Sequence, residues 1–260
     1  MSTRPPPQRA PQQRPPRPTL KPADDGERLS KRVMQLKNCS RKEAEQYIEG
    51  GFVQVNGVVV EEPMHRVTQQ TVAVDPKASL MDLTPVTLLL HKPANVKDPL
   101  SLLGPANHYR QDNSGIRLLK RHFAKLSYPV PIEHGASGLV VFTQDWRTER
   151  KLTEELGEME HELMVEVRGE IEPEALTPIL RALQDDRKAL PHAKVSVNSS
   201  TPEGSRLRFA IKGAHPGLAA HLCSLAGLDV VAMRRTRIAR IVLSDLPPGQ
   251  WRYLGPHERF

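Results

Sequence analysis

Residues 28 to 60 spell out two short helices followed at once by a hairpin. Leu29, Val33 and Leu36 recur at the spacing of one helix face. Ser40, with Glu43 three residues on, reads as the capping box of a second helix whose apolar stripe is Ala44, Tyr47 and Ile48. Gly50 and Gly51 stop that helix, Phe52, Val53 and Val55 begin a strand, and Asn56-Gly57 is the dipeptide that turns a strand back on itself, here into Val58, Val59 and Val60.

Charge is segregated within this stretch. Arg28, Lys31, Arg32, Lys37, Arg41 and Lys42 come before any intervening acid, and Glu43, Glu45, Glu49, Glu61 and Glu62 follow without a basic residue among them. A solvated face mixes its signs more evenly, so this arrangement predicts a basic surface for phosphates. The whole chain of 260 residues carries a net charge of +7, which favours a polyanionic partner, and only 4% of its residues are aromatic, too few for an extended platform that stacks single-stranded bases.

Residues 1 to 26 hold prolines, arginines (Arg4, Arg9, Arg14, Arg17) and almost no large apolar side chains, the composition of a tail that cannot offset the entropy of ordering itself. No apolar run reaches the roughly 18 residues of a membrane span, so the expectation is a cytoplasmic protein with no membrane partner. Cys39 and Cys223 stand apart and read as reduced thiols, and the histidines form no metal-ligand motif. No metal is expected.

The pieces Ser40-Arg41, Ala44 to Ile48, Gly51, Val53, Val55 and Asn56-Gly57 resemble the S4-type RNA-binding domain first recognised in a ribosomal protein, over about residues 27 to 76. The resemblance implies recognition of folded RNA by shape and phosphates.

Beyond residue 84 the apolar segments at 86 to 91, 138 to 143, 163 to 167, 193 to 197, 206 to 211 and 228 to 243 predict strands. They alternate with helical patterns near 115 to 125, 147 to 156, 173 to 183 and 217 to 226, while 97 to 113 lacks periodicity and reads as a surface loop. The expected class is α+β: a small N-terminal RNA-binding module and a larger domain, 84 to 258, with a mixed, mainly antiparallel sheet.

In this larger domain the order Lys92-Pro93, Gly138-Leu139 with Thr143-Gln144-Asp145, Glu160-His161-Glu162-Leu163, and Gly249-Gln250-Trp251-Arg252 resembles the bacterial S4-domain-containing ribosomal RNA pseudouridine synthases. That family turns a uridine into pseudouridine without a cofactor, on a base drawn out of its helix. The resemblance puts the catalytic aspartate at the position of Glu133, its usual polar neighbours at Pro131 and Ala136, the tyrosine that helps move a proton at Leu163, and the Gln-apolar-Arg-Arg run of a late helix at Leu218, Ala219, Ala220 and His221. An extra methylene at Glu133 displaces the carboxylate by about 1 Å, enough to cost on the order of a hundredfold in a preorganised site, and leucine has no proton to exchange.

The sequence therefore reads as a monomeric RNA-binding protein of this family, acting on structured and expectedly ribosomal RNA, with a degenerate isomerase site. The alternative is an active isomerase with Glu133 as nucleophile, held by Lys92, His134 or a nearby arginine; a further one is a protein-interaction module using the proline-rich segment. The residues expected to meet RNA are Arg28, Lys31, Arg32, Lys37, Arg41 and Lys42 in the first module and Lys92, Arg234, Arg235 and Arg237 in the second. The last three belong to MRRTRIARI, residues 233 to 241, whose arginines, Arg240 included, would line one strand edge.

Overall fold

A computed structural model describes residues 26–80, 84–133 and 135–260. The proline-rich segment, apart from Gly26, and His134 lie outside the described residues.

The first module opens with a short strand β1 (Glu27–Arg28), helices α1 (Leu29–Lys37) and α2 (Arg41–Glu49), then strands β2 (Val53–Val55), β3 (Val58–Val59), β4 (Arg66–Val67) and β5 (Val72–Val74). The capping box is formed: the Glu43 backbone N–H donates to Ser40 Oγ, and the Ser40 N–H donates to the Glu43 carboxylate. Asn56 and Gly57 both take positive φ, 49° and 81°, the left-handed geometry of a two-residue hairpin turn. Leu29, Val33, Ala44, Ile48, Val53, Val55 and Val67 make one small core.

The second module is built on an eight-stranded sheet. In chain order its elements are β6 (Thr87–Lys92), β7 (Ser137–Thr143), α3 (Trp146–Glu154), β8 (Glu160–Arg168), α4 (Thr177–Gln184), β9 (Ala193–Thr201), β10 (Gly204–Lys212), α5 (Leu218–Leu225), β11 (Val230–Ile238), β12 (Ile241–Val242) and β13 (Trp251–Tyr253). The strands lie in the order β13-β6-β7-β11-β8-β10-β9, with β12 folded back on β11. Every pairing is antiparallel except that of β7 with β11, a parallel seam where Arg234 faces Ser137 and Arg235 faces Gly138.

The seam separates two modes of burial. On one side β6 and β7 are covered on both faces: Leu89, Leu139 and Val141 enter one cluster, while Leu88, Leu90, Val140 and Phe142 pack with Trp251 and Tyr253 in another. That is why their sequences run apolar without alternation. On the other side β8 alternates, with Leu163, Val165 and Val167 beneath α4 and α5, His161 buried on the same face, and Glu160, Glu162 and Glu166 turned outward. Gly138 is fixed by the seam itself. Its φ is +115°, and a Cβ there would sit 2.2 Å from the Arg235 carbonyl oxygen.

Two expected elements differ. The apolar stretch 228 to 243 is two strands, β11 and β12, because the chain turns at Ala239 with a φ of 49°. The helix expected over 115 to 125 is extended chain and one 3-10 turn, Lys120–Phe123. Its side chains alternate between two bodies: Leu118 joins the cluster around Trp251, whereas Arg117 donates to the Gly51 carbonyl at 2.8 Å and Leu119 approaches Gly51 of the first module. Lys120 extends this junction, its backbone N–H on Glu61 and its ammonium on Glu62. An extended backbone sends neighbours to opposite sides, and that geometry outweighs the helical spacing of the leucines.

Candidate functional site

Glu133 lies on the segment that enters β7, and its surroundings are assembled from distant parts of the chain. Its Oε1 accepts a 2.6 Å hydrogen bond from the backbone N–H of Gly217. Gly217 is the residue before α5 and has no side chain to cap it, so the carboxylate arriving from 84 positions upstream closes the helix N-terminus and meets the positive end of its dipole. The buried Cys223 thiol, on the same helix, is pushed up to about 11, first by burial and then by the Glu133 charge.

Arg235 fixes the segment that carries Glu133. Only 3% exposed, it donates from Nε to the carbonyl of Leu139 at 2.7 Å, from Nη1 to Pro131 at 2.9 Å and from Nη2 to Val130 at 3.0 Å. Burial lowers its pKa to about 10, with Tyr128 acting in the opposite direction. The expectation that Arg235 faces RNA is thus corrected: its donors are directed at three backbone carbonyls inside the protein. The period-two pattern held the signal, since Met233 and Arg235 share a face and Met233 packs against the core.

Lys92 requires the same correction. It is 3% exposed, and its ammonium donates to the carbonyls of Ala136 at 2.7 Å and Pro93 at 3.2 Å. Burial, then the Arg235 charge, lowers its pKa. Lys92 and Arg235 therefore clamp the two sides of Glu133, residues 130 to 131 and residue 136, by their backbone oxygens.

Between these parts lies a pocket of about 30 Å³ lined by Glu133, His161, Leu163, Ile211, His215 and Arg235 among others. That is space for about one water, an order of magnitude below the roughly 300–1,000 Å³ of ordinary small-molecule sites. The positions that the resemblance pairs, Glu133 and Leu163, do meet here, and the leucine presents a buried apolar side chain to the carboxylate's pocket. Leu218 is buried in the core beneath α5 and Ala220 is half-buried, and neither brings a charge toward Glu133. His161 is 2% exposed with both ring nitrogens unpartnered; burial and then the nearby Arg235 and Arg237 hold it neutral, with a pKa of about 3. Among the described residues no cluster of His, Cys, Asp and Glu could hold a metal ion.

The remaining basic residues divide by accessibility. Lys31, Lys37, Arg41 and Lys42 are exposed on the helix pair. Arg41 and Lys42 occupy the first turn of α2, where the helix dipole adds to their positive potential. Arg28, Lys31 and Arg32 border an open groove together with Arg66, which the sequence reading missed because it lies on a separate short strand. Arg32 is tied to Glu27 and to the Thr68 carbonyl. In the second module Arg234 and Arg240 are exposed, but Arg237 is half-buried in an ion cluster with Glu160 and Glu162 and also donates to the Ala239 carbonyl. A continuous edge of four free guanidinium groups is therefore not formed.

The S4 domain model matches residues 27–72. An uncharacterized RNA pseudouridine synthase of Aquifex aeolicus is 26% identical, the match covering 89% of this chain and 94% of its own length. The ribosomal large subunit pseudouridine synthase B of Bacillus subtilis is 26% identical over 89% of this chain and 93% of its own. An uncharacterized RNA pseudouridine synthase of Mycobacterium tuberculosis is 28% identical over 90% and 91%. A crystal structure of a pseudouridylate synthase aligns with a TM-score of 0.49 at 17% identity, covering 87% of this chain and 95% of the other. The chain thus carries an S4 domain at residues 27–72 and is similar, along nearly their whole length, to S4-domain-containing RNA pseudouridine synthases.

Proposed function

We propose that this protein binds structured ribosomal RNA on a pseudouridine synthase scaffold whose isomerase site is degenerate. The observation that carries the reading is the bond from the Gly217 N–H to the Glu133 carboxylate, which makes that carboxylate part of the frame. An isomerase carboxylate must face a base drawn out of its stack. Here it faces a pocket with space for about one water, and Leu163 stands where a proton has to be moved.

RNA binding is supported by the exposed cations Lys31, Lys37, Arg41 and Lys42 on the helix pair and Arg234 beyond it, placed for phosphates rather than base edges. Among the described residues no helix is long and apolar enough to cross a membrane. We place the protein in the cytoplasm as a monomer.

One observation favours a second reading, an active isomerase using Glu133. His161 lines the same pocket with both nitrogens unpartnered, which fits a site that takes up a polar group. Pseudouridine mapping of total RNA from cells with the protein, without it, and with Glu133→Ala separates the two. Unchanged modification at every uridine, with ribosomal RNA still co-purifying with the protein, is the expected result. A uridine that loses its modification in both the deletion and the substitution overturns it.

A further inference from the structure

Past the end of β7 opposite to the one that Glu133 precedes lies an unassigned groove. It runs between the start of α3 and the C-terminal segment, holds about 600 Å³, and is bordered by Ile116, Asp145, Arg147, Lys151, Leu254 and Arg259. Its one acid is already committed: the Asp145 carboxylate accepts from the backbone N–H groups of Arg147 and Thr148 and from the Thr148 hydroxyl, capping α3.

The three cations are not neutralised in ion pairs, although Arg147 lies near enough to Asp145 to help lower its carboxyl pKa. Arg147 and Lys151, four residues apart on one face of α3, and Arg259 form no ion pair among the described residues, whereas the next arginine on the helix, Arg150, is paired with Glu154. Arg259 turns its guanidinium over the carbonyls of Pro256 and Glu258, which neutralise nothing. Three unpaired cations around a groove constitute a site for a chain of phosphates.

Outside the lining, but against the lining residue Arg147, stands Trp146. Its side chain is 60% exposed in a protein whose other tryptophan, Trp251, is wholly buried, and the Arg147 guanidinium lies over its ring at 5.6 Å. An indole left in water beside an arginine is a surface on which a nucleobase stacks irrespective of its identity. The groove also reaches the junction of the modules, because Ile116 borders it and the adjoining Arg117 contacts Gly51.

We propose that this groove binds a single-stranded segment of RNA, with Arg147, Lys151 and Arg259 on successive phosphates and one base stacked on Trp146. It rests on the RNA-binding reading of the protein but uses a surface separate from the basic helix pair, so an RNA with a helical stem and a single-stranded flank would engage both. Low aromatic content excludes a long stacking platform; a single indole serves one base.

The test uses the full chain, a single-stranded oligouridylate and a stem-only RNA hairpin, with tryptophan fluorescence and affinity read against salt. The oligouridylate should quench the exposed indole. Trp146→Phe, which leaves only buried Trp251 to report, should abolish the quench, and Trp146→Ala should weaken binding on the order of tenfold. The wild-type salt slope for oligouridylate should be about two, as three single-strand phosphate contacts give, and Arg147→Glu with Lys151→Glu and Arg259→Glu should remove oligouridylate binding and leave hairpin binding unchanged. If the hairpin binds and the oligouridylate does not, or if the charge-reversed protein binds the oligouridylate like the wild type, the groove proposal fails and the wider RNA reading stands. If neither RNA binds, both fail. If dextran sulfate competes while the oligouridylate never quenches Trp146, the groove is a polyanion patch only and the proposal is overturned.

Discussion

The backbone N–H of Gly217 donates to the carboxylate of Glu133 at 2.6 Å, joining the entry of β7 to the start of α5. A residue aligned with a nucleophile thus acts as a helix cap, and such a cap has a measurable share in stability. Glu133→Ala should lower the unfolding free energy by about 1–2 kcal/mol, the range of a cap or a charge-assisted bond, seen as a shift in denaturant midpoint at unchanged slope. RNA affinity should stay the same. A stability-neutral Glu133→Ala would remove the structural role assigned here.

Arg235 offers a sharper contrast between a structural and an RNA-contacting arginine. Arg235→Met should cost about 3–5 kcal/mol, because three carbonyls, those of Leu139 and Val130 in buried bonds, lose their donors together. The protein that remains folded should bind RNA with wild-type affinity and an unchanged salt slope. A well-folded variant with weakened, less salt-sensitive binding would return Arg235 to the RNA surface.

Two buried histidines set an acid limit. His161 has its pKa pushed down to about 3 and His122 to about 4, in both cases first by burial, from an ordinary value of 6.5. The unfolded chain takes up protons on both below pH 6.5 while the native protein does not. Their contribution is therefore complete above 6.5 and is lost as pH falls from there toward 4 and 3, with a slope on the order of 1–3 kcal/mol per pH unit. His161→Leu should flatten the stability profile between pH 6 and 4, measured by urea titration at each pH. An equal acid slope in the variant would mean that His161 is protonated in the native state.

Removing the exposed cations of the first module tests its RNA face. Lys31→Ala, Lys37→Ala, Arg41→Ala and Lys42→Ala combined should reduce the slope of log affinity against log salt by about three to four for a helical RNA, near 0.7 to 0.9 per lost phosphate contact. Thermal unfolding should move little, since these side chains are solvated and at most form surface pairs. An unchanged slope would show that the helix pair does not touch phosphate.

The parts of this architecture legible in sequence are those encoded locally. The capping box at Ser40 and Glu43 and the Asn56-Gly57 turn each need only a few adjacent residues, and both form as read. The register of Glu133 followed from Gly138, and the seam explains why that glycine is there. The roles of Lys92 and Arg235 were not legible, because they depend on which strands become neighbours: Arg235 reaches Val130, Pro131 and Leu139 from about a hundred residues away. The segment near 117 failed for a related reason. Its leucine spacing suits a helix, but it adheres to two bodies at once, and only an extended chain can face both.

The pairing of β13 with β6 has a consequence for how the molecule comes to exist. Strands β8, β9 and β10 and helix α4 are near neighbours in the chain, so that half of the sheet can assemble from local contacts. Leu88, Leu90, Val140 and Phe142 must wait for Trp251 and Tyr253, which lie more than a hundred residues later. On the ribosome an apolar face of the β6–β7 pair therefore stays incompletely covered until residues 251 to 253 have been made, and a vulnerable interval in the life of this protein falls before that strand arrives.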